Sequence, residues 1–84
     1  MATVTDKTRI LYLAENLRRV MRLRNLSQEQ LEAESGVPQA TISRVLNAKS
    51  DPAVSVVFHL ARALGTSVDM LLSAPDEKIS AKSS

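Results

Sequence analysis

The sequence predicts an all-α protein, one compact domain of five helices in which the second and third are short and joined by a tight turn. Three observations carry that expectation. Apolar residues recur at helical spacing along most of the chain, and no stretch alternates with the period of two that a half-buried strand requires. The two glycines and three prolines fall at the joints between the periodic runs or beyond them, not inside them. The length of 84 residues fits one small domain, and a hydrophobic content of 44% can fill its core. Tyr12 and Phe58 are the only aromatic residues, so that core must be built from Leu, Val, Ile, Met and Ala.

Residues 1–9 are polar and Thr-rich and are expected to form a flexible N-terminal arm. Leu13, Leu17, Val20 and Met21 lie at helical spacing and predict a first helix over 10–24. Ser27 is placed to cap the next helix, and Gln30 three residues on completes a capping box, which predicts a second helix over 28–35. Gly36 ends it, because glycine enters the left-handed region without steric cost. Pro38 then falls at the start of a third helix over 39–47, where its missing N–H does no harm. Pro52 marks the approach to a fourth helix over 54–64, with Val54, Val57, Phe58, Ala61 and Leu64 facing inward, Asp51 as its expected cap and Gly65 at its end. Ser67 caps a last short helix reaching residue 72. The folded domain is therefore expected over 10–73, and residues 74–84, with Pro75 among charged and serine residues, read as a disordered C-terminal tail.

Composition removes several function classes. The absence of cysteine excludes disulfides and thiolate metal sites, and a single histidine leaves no zinc site. No nucleophile–base pair and no glycine-rich phosphate loop is present, so neither an enzyme nor a cofactor is expected, and no small-molecule ligand site is evident. No apolar run approaches the roughly 20 residues of a membrane helix, and no signal peptide is recognisable, which gives a cytoplasmic expectation. The net charge of +2 is unevenly spread: Lys7, Arg9, Arg18, Arg19, Arg22 and Arg24 cluster early, and Glu29, Glu32 and Glu34 share the second helix. A basic side of this kind fits a polyanion partner, although charges placed for solubility would give the same pattern.

The segment from Leu26 to Asn47 resembles the helix-turn-helix of the phage-repressor and Cro-type (XRE-like) DNA-binding family. The run from Leu60 to Leu72 resembles the last two helices of the same domain, so the likeness spans about residues 13–72. The resemblance implies a lambda-repressor-like fold in which helices 2 and 3 form the helix-turn-helix and helix 3 enters the major groove. Carried over position by position, it makes Gln39, Ala40 and Arg44 the base-contacting residues. Arg suits guanine O6 and N7, Gln suits adenine N6 and N7, and an alanine methyl can meet thymine. It makes Gln28, Thr41, Ser43, Asn47, Lys49 and Ser50 backbone-contacting residues, with Arg18 and Arg22 as weaker bids. Such contacts fix orientation and carry no direct sequence information.

The function implied is a sequence-specific transcriptional regulator, most simply a dimeric repressor covering a near-palindromic operator in double-stranded DNA on the nucleoid. Val68, Met70, Leu71 and Leu72 cannot all face one small core, so Val68, Met70 and Leu71 are the expected homodimer interface. Two alternatives use the same fold: an antitoxin, with a toxin or co-regulator as protein partner, and a restriction–modification controller protein. The sequence departs from the family pattern at three places. Glu32 stands where a small residue is usual, Ala48 where glycine is common, and Met21 and Leu46 where relatives often pair an arginine with a glutamate.

Overall fold

The computed structural model describes residues 7–75 and contains five α-helices: α1 (Lys7–Leu23), α2 (Gln28–Ser35), α3 (Gln39–Leu46), α4 (Val54–Leu64) and α5 (Val68–Leu71). All five expected helices are present, α2 and α4 with the expected bounds and the others with shifted ends. Lys7, Thr8 and Arg9 are the first turn of α1 and not part of an arm; residues 1–6 of the expected arm lie outside the described residues. At the other end Ala74 is half-buried and Pro75 buried, so no free tail begins there, and residues 76–84 lie outside the described residues.

The joints around α2 follow the sequence closely. The Gln30 amide donates to Ser27 Oγ at 3.1 Å and the Ser27 amide to Gln30 Oε1 at 2.8 Å, a complete capping box. Gly36, at φ 81°, ends the helix and returns its N–H to the Glu32 carbonyl. Pro38 is the N-cap of α3, one position earlier than expected, with its carbonyl accepting from the Ile42 amide. Asn47 terminates α3, and Ala48 follows it at φ 54°, a left-handed conformation in which a Cβ is strained. The N-cap of α4 is Ala53, without a side-chain cap bond, in place of the expected Asp51.

The core is aliphatic. Leu13 and Leu17 of α1, Leu31 of α2, Ile42 of α3 and Val57 and Leu60 of α4 are fully buried. α1 packs against α3 and α5, α2 against α3 and α4, and α4 against α5. Because α4 is held between α2 and α5, its inward stripe is Val57, Leu60, Ala61 and Leu64. Val54 and Phe58, expected inside, lie to one side of that stripe; Phe58 is 53% exposed and meets the His59 ring edge-on at 5.9 Å.

One buried polar residue organises the far end of the domain. Asn16 is 8% exposed, and its Nδ2 donates to the carbonyls of Leu71 at 2.8 Å, Ser73 at 2.8 Å and Met70 at 3.1 Å. A helix as short as α5 cannot satisfy its own last carbonyls, and α1 supplies the donor. Asn16→Ala is therefore expected to cost about 1–3 kcal/mol, since it leaves buried acceptors unpaired; urea denaturation reads it as a lower midpoint at unchanged slope. Ala48→Gly should raise stability by about 1 kcal/mol in the same assay, because glycine adopts the left-handed conformation without strain.

Candidate nucleic-acid interface

α3 buries Ile42, Val45 and Leu46. At about 100° per residue these form one side of the helix. Ala40, Ser43, Arg44 and Asn47 then fall away from that side, while Gln39, seven residues before Leu46, lies at its edge in the first turn of the helix. Gln39, Ala40 and Arg44 are all exposed, so the three residues expected to touch bases share one open face. Thr41 and Ser43 are half-buried and flank it. The only charged side chain on α3 is Arg44, and no acidic residue occupies its first turn. This face is thus neutral to positive.

The expected backbone contacts divide into two groups. Gln28, at the first turn of α2, is half-buried in a cleft that also receives Arg18, Arg22, Ser27 and Leu46. A helix N-terminus beside the Arg22 guanidinium suits an anion. Lys49 and Ser50 follow α3 and line a second groove together with Lys7 of α1. Lys7 is an additional cation at this edge; its placement depends on the extra first turn of α1, for which Asp6, a residue type favoured as an N-cap, was the available signal in the sequence. Asn47 is exposed, but its Nδ2 donates to the Ser43 carbonyl at 2.8 Å, so one of its two amide hydrogens already closes α3. Arg18 is also engaged: its Nη2 donates to the Leu46 carbonyl at 2.7 Å.

Glu32 and Ala33 are exposed, and α2 still packs against α3, so the glutamate turns outward and does not separate the helices. Met21 and Leu46 are both buried and replace a charged pair with apolar contact. Such an exchange is often neutral or stabilising, because two charges need not be desolvated.

The expected dimer residues do not stay together. Met70 is 49% exposed and Val68 is half-buried against the core, but Leu71 is 1% exposed. Leu71 is the side chain that seats α5 between α1 and α4, so it belongs to the monomer core and is withdrawn from the interface. His59 is exposed and sits against Phe58.

A short helix that buries one stripe and offers Gln, Ala and Arg on the other, set against a preceding helix by a left-handed glycine, is the reading unit of a helix-turn-helix DNA-binding protein. The family model described as Helix-turn-helix (HTH_3) matches residues 17–71, from within α1 to the end of α5, and the chain belongs to that family. It is similar to the Uncharacterized HTH-type transcriptional regulator y4dJ of Sinorhizobium fredii, 35% identical over 65 residues that cover 77% of this chain and 84% of that protein. It is also similar to Control protein C.SmaI of Serratia marcescens, 43% identical over 60 residues, 71% of each chain. Among solved structures, the hypothetical transcription factor NHTF from Neisseria superposes with a TM-score of 0.79 at 29% identity, covering 95% of this chain and 93% of that one. The protein is a DNA-binding transcriptional regulator of the XRE-like helix-turn-helix type, as its sequence led one to expect.

Two substitutions separate the roles on this surface. Arg44→Ala should lower affinity by about 1–3 kcal/mol and relax preference at one base pair, while Lys49→Ala should weaken binding to every sequence alike and reduce the salt slope by about one unit. Fluorescence anisotropy on matched duplexes across a salt series measures both; an Arg44→Ala variant with unaltered affinity and preference would remove α3 from base reading.

Proposed function

We propose that the protein is a homodimeric, sequence-specific repressor that covers a near-palindromic operator and so blocks transcription. The observation that carries this reading is the exposed face of α3, where Gln39, Ala40 and Arg44 stand together with no acidic neighbour on the helix. Gln39 and Arg44 read base edges by paired hydrogen bonds, and Ala40 allows close approach to a thymine methyl. Gln28 grips the backbone at the start of α2; Lys49 and Ser50 do so after α3, with Thr41, Ser43 and Asn47 at the margins. The role is one of binding, and it works on the nucleoid in the cytoplasm. Among the described residues no helix is long and apolar enough to cross a membrane.

The dimer is supported by a groove between α1 and α5, lined by Arg19, Val20, Leu23, Thr66, Met70 and Pro75. Leu23 is 75% exposed and Met70 49%, so two long apolar side chains stand at its mouth. A groove with apolar side chains projecting beside it is self-complementary under a two-fold axis, each copy filling the other. Two α3 helices then enter successive major grooves about 34 Å apart.

A controller-protein role is the second reading, favoured by the 43% identity to Control protein C.SmaI. It uses the same surface and differs in the gene controlled. The segments an antitoxin reading would use, the arm and the tail, lie largely outside the described residues.

Selection of bound sites from a random duplex pool tests the proposal. A two-fold-symmetric motif with half-sites about one helical turn apart is expected; bulk binding with no enriched motif would sink it. Met70→Glu should shift the dimer toward monomer in sedimentation and leave the helical content unchanged, because the side chain is exposed. Leu71→Glu should instead unfold the monomer, since it places a charge in the core.

A further inference from the structure

α3 ends with each of its last four carbonyls accepting a hydrogen bond, and the last donor comes from outside the helix-turn-helix. The Ser43 carbonyl accepts from the Asn47 amide at 3.1 Å and from Asn47 Nδ2 at 2.8 Å. The Arg44 carbonyl accepts from the Lys49 amide at 2.9 Å, and the Val45 carbonyl from the Ala48 amide at 3.0 Å. The chain then turns away at Ala48, and the Leu46 carbonyl accepts from Arg18 Nη2 at 2.7 Å, the shortest bond of the set. That bond is partly buried, spans 28 residues of sequence and brings a fixed positive charge to the negative end of α3. Met21, one turn along α1, packs in the core beneath it together with Leu46.

We propose that Arg18 is a positioning residue for the reading helix: it fixes the C-terminal end of α3 to α1, and with it the angle at which Gln39, Ala40 and Arg44 meet the DNA. The inference rests on the reading of α3 as the base-contacting helix. Its leverage follows from length. Eight residues of helix span about 12 Å, so a tilt of about 10° moves one end by about 2 Å. Paired hydrogen bonds to a base edge do not survive an error of that size. The other end of α3 is set by the turn through Gly36, so the Arg18 bond supplies the second fixed point. In this role the guanidinium is a tie within the protein and not a phosphate ligand, although it lies in the same cleft as Gln28 and Arg22.

The test is Arg18→Met, which keeps an unbranched stem and removes the donors. The purified full chain is measured against the duplex recovered by site selection and against a scrambled duplex of equal length, over a salt series. Operator affinity is expected to fall about tenfold or more, the worth of a lost charged hydrogen bond. Affinity for the scrambled duplex and the salt slope should not change. Hydrogen exchange on the free protein should show the amides of Asn47, Ala48 and Lys49 exchanging faster. Equal loss on both duplexes with a slope reduced by about one unit would make Arg18 a phosphate contact and overturn the proposal. A lower melting temperature with the affinity ratio and the exchange unchanged would reduce it to a general stabiliser and overturn it too. Arg18→Lys keeps the charge and serves if the Met variant does not fold: a phosphate role predicts near-normal binding, a positioning role the same selective loss on the operator. If site selection yields no operator, the exchange measurement still decides whether Arg18 holds α3, separately from the fate of the repressor reading.

Discussion

Three of the four shorter helices, α3, α4 and α5, have end carbonyls that accept from side chains of α1 or of the residue just after it, while α2 is closed by the Gly36 N–H. The last four carbonyls of any helix lack an internal partner, and in helices of four, eight and eleven residues those carbonyls are a large share of the backbone. α1 answers with side-chain donors spaced along its length. Asn16 serves the end of α5 and Arg18 the end of α3, and Arg24, the residue just after α1, serves the Ala63 carbonyl in the last turn of α4 at 3.2 Å. Arg9 reaches the Leu72 carbonyl at 3.3 Å. Three of the four are cations placed at the negative ends of helix dipoles. The longest helix is therefore both an apolar wall of the core and the polar scaffold to which the ends of α3 and α5 are pinned.

This changes the meaning of the basic cluster near the N-terminus. Taken as composition, Lys7, Arg9, Arg18, Arg19, Arg22 and Arg24 point to a polyanion. In the fold, three of them donate to backbone carbonyls, and Arg19 lines the α1–α5 groove. Lys7 and Arg22 are the members that border the surface proposed to meet DNA. A cation count is blind to this division, because a guanidinium that closes a helix and one that holds a phosphate are the same residue type.

Much of the architecture was legible because it rests on local chemistry. Ser27, Gln30, Gly36 and Ser67 act within four residues of themselves, so their spacing in the sequence is the spacing that matters. The open face of α3 was legible for the same reason, since helical periodicity separates Ala40 and Arg44 from Ile42, Val45 and Leu46, and Gln39 is freed by its place in the first turn. What was not legible is long-range. Asn16 has the look of a surface amide on an amphipathic helix until α5 is placed 55 residues away. Phe58 and Leu71 exchange places with respect to burial because the packing of α4 and α5 against their neighbours decides it, and a stripe of apolar residues does not reveal its own edges. Lys7 entered the picture only because α1 begins one turn before its first inward apolar residues, directly after Asp6 in the sequence. In each case the deciding partner is remote in sequence.

The charge layout also constrains how a protein of this kind would discriminate. Glu29, Glu32 and Glu34 are all exposed on α2, immediately before the reading helix, and the net charge of the chain is only +2. Non-specific affinity grows with the number of phosphates neutralised, and Arg9, Arg18 and Arg24, tied to backbone carbonyls, are drawn away from that task. Carboxylates beside the groove raise the cost of any approach that does not bring α3 squarely into it. On the proposed reading, binding to arbitrary DNA is weak, and most of the useful free energy must come from base contacts made by one short helix held at the correct angle. Discrimination of that sort tolerates little play in α3, which is why its two fixed points, the Gly36 turn and the Arg18 tie, matter more to function than their modest contribution to stability would indicate.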